Sequence, residues 1–431
     1  MFTAAEAERL IFTLVSPITS RETVDVADDP IGCLGRILAT APLSQLDFPH
    51  WDNSAMDGYA VRTADVQTVP VSLQVIEEIP AGKLPQKALG PGQAARILTG
   101  AMLPEGADAV VMQEETERNL QSGPKDRLED EPENQPADQQ VVILRSPLPQ
   151  NFVRQRGSFA KVGDALLTTG RALGPADIAL LAAAQQTSVQ VYRRPRVAIL
   201  STGDELVPPH QPLQPGQIVD SNQYALTALV AQTGAIPVPM GIVPDDRLAV
   251  KRAIAGALAQ SDMVISSGGV SVGDYDYVDE VLAELGATLH IRSVAVKPGK
   301  PLTVATVESE RGSRRLYFGL PGNPASAMVG FWRFVAPAIA QLSGHQGPWS
   351  PDFVWATATA DLQADGRRET YLWGQITASA TGYEFARAAG SHSSGNLINL
   401  ANTNGLGIVP QGNQQIITGQ PIRVLTIRSA R

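Results

Sequence analysis

The chain has 431 residues, 43% hydrophobic and 18% charged, enough for more than one buried core and too apolar for wholesale disorder. Its 34 basic and 43 acidic residues leave a formal charge of −9 with no dense Lys/Arg block, which argues against nucleic acid as a partner. The lone Cys33 excludes an internal disulfide or a cysteine metal cluster, and five scattered histidines show no zinc-ligand spacing.

The N-terminal MFTAAEAERL places two glutamates before any basic residue and has no long apolar run, unlike a secretory signal. No apolar stretch approaches membrane-spanning length, so no membrane partner is expected and a cytoplasmic protein is the simplest reading.

Residues 1–46 read as helical, because Leu10, Leu14 and Ile18, then Ile31, Leu34, Ile37 and Leu38, recur at three and four. From 59 to 115 short β-rich runs follow at 69–79, 94–98 and 109–114, separated by Pro/Gly turns, which predicts an inserted β domain. Residues 121–140 are acidic, Pro- and Gln-rich; a solvated hairpin tip is the plainer reading and an acidic docking loop the sharper one. β-like runs resume to 167, and Gly174-Pro-Ala-Asp177 opens a helix.

Residues 196–340 alternate strand and helix patterns. Strands are predicted at 197–200, 236–242, 263–266, 289–296, 302–305 and 316–320, and helices at 222–232, 246–260, 277–285 and 323–342. That grammar indicates a parallel-rich α/β sheet with ligands at the carboxyl ends of its strands. Residues 353–431 return to short β runs and read as a separate small C-terminal β domain. The overall expectation is a multidomain α/β plus β chain: residues 1–46 with 147–176 as an N-terminal linker domain, 47–146 inserted, 177–342 α/β, and 343–431 C-terminal β.

Four turns of the α/β part follow strands with small or polar residues. Ser201-Thr202-Gly203-Asp-Glu205 lets a phosphate approach the backbone at Gly203, with two hydroxyl donors and a carboxylate at hand. Ser266-Ser-Gly268-Gly269-Val-Ser271-Val-Gly-Asp274-Tyr-Asp276 can form an N–H nest followed by two hard oxygen ligands suited to Mg2+. Lys297-Pro-Gly-Lys300-Pro holds two ammonium groups on a stiff turn. Leu320-Pro321-Gly322-Asn323-Pro324 starts a helix whose free N–H groups favour anions. Each alone would also pass for an ordinary turn; together they describe one phosphate-rich, metal-assisted pocket. Asp57-Gly58 and the Thr99 that ends a strand, by pattern alone, are a β-turn and a strand cap.

These motifs resemble one family, the molybdopterin molybdenumtransferases, called MoeA in bacteria and the gephyrin E domain in animals. The matching segments are NSAMDGYAVR from Asn53, RILTGAMLPEGADAVVMQEE from Arg96, STGDEL from Ser201, DSNQYAL from Asp220, SSGGVSVGDYD from Ser266, KPGKP from Lys297 and GLPGNPASA from Gly319. The resemblance implies that adenylylated molybdopterin and molybdate are the substrates, that Mg2+ assists, and that AMP leaves as molybdenum cofactor forms. It also implies a homodimer with each active site near the subunit interface, an upstream adenylyltransferase and downstream apo-molybdoenzymes.

Position by position, the resemblance makes Asp57, Thr99, Arg154, Glu205, Asp245, Asp276 and Lys297 the catalytic candidates. Ser201, Thr202, Gly203, Gly268, Gly269, Ser271, Lys300, Pro321, Gly322 and Asn323 are the nucleotide and phosphate candidates, and Asp276, Asp245 and Glu205 the Mg2+ ligands. Two positions depart from the family pattern. Phe159 stands where an acidic residue is usual, and Ser293 where many members have a base; the neighbouring Arg292 would point to the other face of its strand. They keep a second reading open, a dimeric molybdopterin-binding scaffold whose catalysis has weakened.

Overall fold

Thr3 begins the first helix with a capping box: its hydroxyl accepts the Glu6 N–H while Glu6 returns a bond to the Thr3 N–H. The helix Ala4–Leu14 buries Ala4, Ala7, Ile11 and Leu14 along one stripe. The structure, a computed structural model, describes residues 1–119, 140–269, 277–308 and 314–427. The predicted helical run to residue 46 stops at Leu14. Arg21–Asp25 is a strand paired antiparallel with Ser188–Tyr192, and only Pro30–Cys33 is helical beyond it. The apolar spacing misled because Ile31 is 82% exposed and Leu34 half-exposed, and Gly35 turns the chain through the left-handed region at φ +72°.

The chain forms two units. One comprises Ala41–Thr168 and Ala179–Thr187; the other comprises Met1–Thr40, Thr169–Ile178 and Ser188–Arg431. The smaller holds a six-stranded sheet in the order Ala109–Met112, Gly58–Val61, Gln93–Ile97, Val71–Ile79, Gln140–Ile143, Thr116–Asn119. Its alternating residues bury on both faces: Tyr59, Val61, Leu73 and Val111 on one, Ala60, Ile79, Ile97 and Val110 on the other. This is the predicted inserted β region. Thr116–Asn119 pairs antiparallel with Gln140–Ile143, so the segment predicted as a hairpin tip is flanked by a hairpin, while residues 120–139 lie outside the described residues.

The larger unit carries the α/β sheet, ordered Ile236–Val243, Arg196–Thr202, Met263–Ser267, Arg314–Leu320, Pro301–Glu308, Thr288–Ser293. The first four strands are parallel, as the alternating grammar predicts; the fifth, Pro301–Glu308, pairs antiparallel with both its neighbours, so the edge strand Thr288–Ser293 again runs with the first four. The reason is connection length: the links between Thr288–Ser293, Pro301–Glu308 and Arg314–Leu320 are too short for a crossover, so each must reverse on its neighbour. The predicted helices are present at Asn222–Gln232, at Arg247–Gln260 with Asp246 as its side-chain N-cap, and at Val278–Glu284. The predicted helix over 323–342 is interrupted by a π turn, Phe331–Val335, between Pro324–Gly330 and Ala336–Leu342.

The strand expected over 289–296 is split. Thr288–Ser293 stays in the α/β sheet, whereas Val296–Lys297 pairs parallel with Glu369–Ser379 and so belongs to the C-terminal six-stranded sheet. Between them the chain is held by the Phe2 carbonyl, which accepts the Ala295 N–H. Glu8 and Arg333 form an ion pair at 2.6 Å in the same unit, and the Arg333 guanidinium also donates to the Tyr371 hydroxyl. No helix among the described residues is long and apolar enough to cross a membrane.

Candidate active site

The four strand-end turns converge in the larger unit on one open cavity of about 1570 Å³. Thr202, Gly203 and Glu205 enter it after one strand, Ser267, Gly268 and Gly269 after the next, and Pro321, Gly322 and Asn323 after a third. Asp245 and the Lys297–Pro301 turn complete this wall. Ser201 sits beneath it, fully buried. Its Oγ and the Oγ1 of Thr202 are buried without a hydrogen-bond partner among the described residues.

Glycine is obligatory at the second turn. Gly268 has φ +91°, and a Cβ there would lie 2.5 Å from the Thr202 carbonyl oxygen. The Gly268 N–H donates to the Leu320 carbonyl at 3.1 Å, locking adjacent strand ends together. Asn222, buried at the start of its helix, adds a clamp: its Nδ2 donates to Ser267 Oγ and to the Gly322 carbonyl at 2.7 Å. Sequence reasoning quoted Asn222 within a motif without giving it a role; its signal was a polar residue at a helix start between two strand-end turns.

The cavity lining carries two sets of charged side chains, a carboxylate pole and a cationic pole. At the carboxylate pole Asp204 Oδ1 accepts the Asp245 N–H at 3.0 Å, and Glu205 lines the wall beside them. Burial pushes the Asp245 carboxyl up, opposed by a hydrogen bond from the Asp204 backbone and reinforced by the Asp204 and Glu205 charges. At the cationic pole stand Lys297, Lys300, Arg368 and Arg387. Lys297 Nζ lies 3.0 Å from Asp365 Oδ2, and Arg368 donates to the Val296 carbonyl at 3.2 Å. The Lys297 ammonium and the Arg367 N–H hold the Asp365 carboxyl below its ordinary range.

Arg368, Arg387, Asp365 and the turn Ser391–Gly395 come from the C-terminal part, and sequence reasoning missed them all. The signal was there: Gly-Ser-His-Ser-Ser-Gly after a strand follows the same grammar as the four recognised turns. Within that turn His392 stacks on Trp373, ring centroids 4.5 Å apart, and its Nε2 bonds to the Ala388 carbonyl at 2.9 Å.

Asp57, Thr99 and Arg154 belong to the smaller unit. Asp57 Oδ1 accepts both the N–H and the hydroxyl of Thr99, each at 2.7 Å, and these bonds hold its carboxyl below the usual range. Arg154 lies on the short strand Val153–Arg154, opposite Asn53. The Asp57-Gly58 step leads into a strand where a Cβ on Gly58 would lie 1.9 Å from the Val111 carbonyl oxygen, so this glycine serves a close strand approach. Phe159 is 73% exposed. Arg292 pairs with Asp279 at 3.0 Å. Ser271, Asp274 and Asp276 lie outside the described residues.

Three family models match in order: the MoeA N-terminal region (domain I and II) over residues 2–184, a probable molybdopterin binding domain over 198–341, and the MoeA C-terminal region (domain IV) over 356–427. A molybdopterin molybdenumtransferase from a Nostoc species is 52% identical over 98% of this chain and 93% of its own length. One from Haemophilus influenzae is 37% identical over 83% of each chain. Among solved structures, the molybdopterin biosynthesis MoeA protein of Pyrococcus horikoshii superposes with a TM-score of 0.78 at 27% identity, covering 99% of this chain and all of its own. With every part of the fold matched in order by relatives of this identity and coverage, the chain belongs to the MoeA family of molybdopterin molybdenumtransferases and is a transferase.

Proposed function

We propose that the protein inserts molybdate into adenylylated molybdopterin with the help of Mg2+, releasing AMP and completing molybdenum cofactor. The observation that carries this reading is the two-pole cavity. A diphosphate-linked nucleotide needs backbone N–H groups and close glycine approach, which Gly269 and Gly322 offer, while Gly268 is held in the turn by its own bond to the Leu320 carbonyl. A small oxyanion needs ammonium and guanidinium donors, which Lys297, Lys300, Arg368 and Arg387 offer at the other pole.

The carboxylate pole suits Mg2+. Glu205 and Asp245 supply hard oxygen donors, and the burial that raises the Asp245 carboxyl, with the added repulsion of Asp204 and Glu205, is the kind of penalty a bound cation relieves. Among the described residues no group of three metal-ligating side chains is assembled, and the third candidate, Asp276, lies outside them. When bound, Mg2+ neutralises charge on phosphate oxygens. The protein's own residues position the phosphoanhydride against the N–H nest and hold the oxyanion on the lysines. Release of AMP then depends on alignment and charge stabilisation, so no cysteine or histidine nucleophile is required.

The test is AMP release from purified adenylylated molybdopterin, with and without molybdate and Mg2+. Release that needs both ions supports the transferase; release indifferent to molybdate rejects it. A weakened scaffold is the second reading, favoured by Phe159 exposed where the resemblance expects an acid, and tight binding without release would select it. Activity restored by Phe159→Asp with Ser293→Lys would then identify the cause. We further expect a cytoplasmic homodimer; a monomer by light scattering would reject the dimer.

A further inference from the structure

Lys297, one of the cations lining the cavity, is already engaged. Asp365 Oδ2 accepts from its Nζ at 3.0 Å, while Asp365 Oδ1 accepts the Arg367 N–H at 3.0 Å and so is anchored to its own loop. Both residues line the cavity. Among the described residues, this is the one ion pair in which a cavity cation is matched by a carboxylate. A carboxylate is an awkward resident of an oxyanion site. It occupies the donor an incoming anion needs and repels any anion that arrives unprotonated. The pair is also partly solvated, with Lys297 45% and Asp365 34% exposed, and such pairs exchange partners at little cost.

We infer that Asp365 is a specificity-determining residue of the oxyanion subsite: it holds Lys297 in the free cavity and surrenders it when an oxyanion enters. The identity of the natural oxyanion rests on the transferase reading above; the exchange itself does not. Two consequences follow from charge and protonation. Asp365 weakens the binding of unprotonated dianions such as molybdate. It weakens phosphate less, because a phosphate oxygen that keeps its proton can donate to the carboxylate instead of repelling it.

The experiment is calorimetric titration of the full chain with sodium molybdate and with inorganic phosphate, at one ionic strength near neutral pH. Four proteins are compared: wild type, Asp365→Asn, Lys297→Met and the double variant. Asparagine keeps an acceptor for the Arg367 N–H, so the loop stays anchored. Asp365→Asn is expected to tighten molybdate about threefold to tenfold, and phosphate by less. The molybdate gain is expected to shrink when Lys297 is already Met. Unchanged or weaker molybdate binding in Asp365→Asn overturns the inference, because Asp365 would then merely orient Lys297. An equal gain in both Lys297 backgrounds also overturns it, since repulsion without exchange would suffice, and so does a failure of all four proteins to bind molybdate. Failure of the transferase reading shows elsewhere, as molybdate binding without molybdate-dependent AMP release.

Discussion

Asp57 receives both hydrogen bonds that Thr99 can donate, one from its N–H and one from its hydroxyl, on a single oxygen. The two bonds favour the ionised carboxylate, so Asp57 is an acceptor and never a proton donor near neutral pH. Thr99→Val removes one of them and keeps the shape. The Asp57 titration, followed by carboxyl carbon NMR, is expected below the ordinary aspartate range in the wild type and higher in Thr99→Val. An unshifted titration would detach the hydroxyl from the charge of Asp57.

At the second turn, Gly268→Ala must fit a methyl group against the Thr202 carbonyl at a backbone angle that L side chains avoid. The strain is expected to cost about 2–3 kcal/mol locally. AMP affinity should fall at least about tenfold, because the N–H nest is what moves. Calorimetry with AMP measures this, and hydrogen exchange of the strand Met263–Ser267 reads the local loosening. Retained AMP affinity would mean the nucleotide phosphate does not use this turn.

Asp245→Asn addresses the other pole. It removes one hard oxygen charge from beside Asp204 and Glu205 without changing volume. The Mg2+ concentration for half-maximal AMP release should rise about tenfold, while molybdate affinity at the lysine pole holds. A parallel loss of molybdate affinity would refute the separation of the poles.

At the opposite end of the α/β sheet, Asp262 accepts from Arg193, from Arg315 and from the Arg196 N–H. Burial pushes its carboxyl up, but Arg193, the Arg196 N–H and Arg315 outweigh burial and hold it low. A depressed native value means stability fully present above the unfolded-state value and lost as pH falls through the native one. Asp262→Asn should therefore cost about 2–3 kcal/mol at neutral pH and much less once the pH has fallen through the lowered native value. Hydrogen exchange of Arg196–Thr202 and Met263–Ser267 at several pH values checks the slope. A penalty independent of pH would assign it to shape instead of charge.

The α/β elements were the most legible, because long periodic segments and strand-end turns carry local signals. Asn222–Gln232 matches its predicted range, and Asp246 caps the next helix as a short acceptor before an apolar-periodic run should. The failures had nonlocal causes. Ile31 and Leu34 mimic a helix stripe yet face outward, and nothing in their spacing says so. The antiparallel Pro301–Glu308 followed from links too short for a crossover, which the strand pattern alone did not weigh.

At the site, Lys297, Glu205 and the glycine turns were readable as chemistry following strands, and Asp245 only through the family resemblance. Arg368, Arg387 and Asp365 were not, because their membership depends on the C-terminal sheet reaching the cavity. The clamp by Asn222 left only a local hint, a polar residue at a helix start, since its partners, Ser267 and Gly322, lie far from it in sequence.

The short strand Val296–Lys297 gives the chain an unusual stitch: it leaves the α/β sheet after Ser293, pairs with the C-terminal strand Glu369–Ser379, and returns at Pro301. The Lys297–Lys300 turn is thus sewn to two sheets whose sequences are otherwise read as separate modules. Deleting everything after Leu342 would strip Lys297 of its strand partner and of Asp365 in one cut. The C-terminal segment is therefore not a detachable accessory, and an isolated α/β fragment would carry the nucleotide turns with a disarmed oxyanion end.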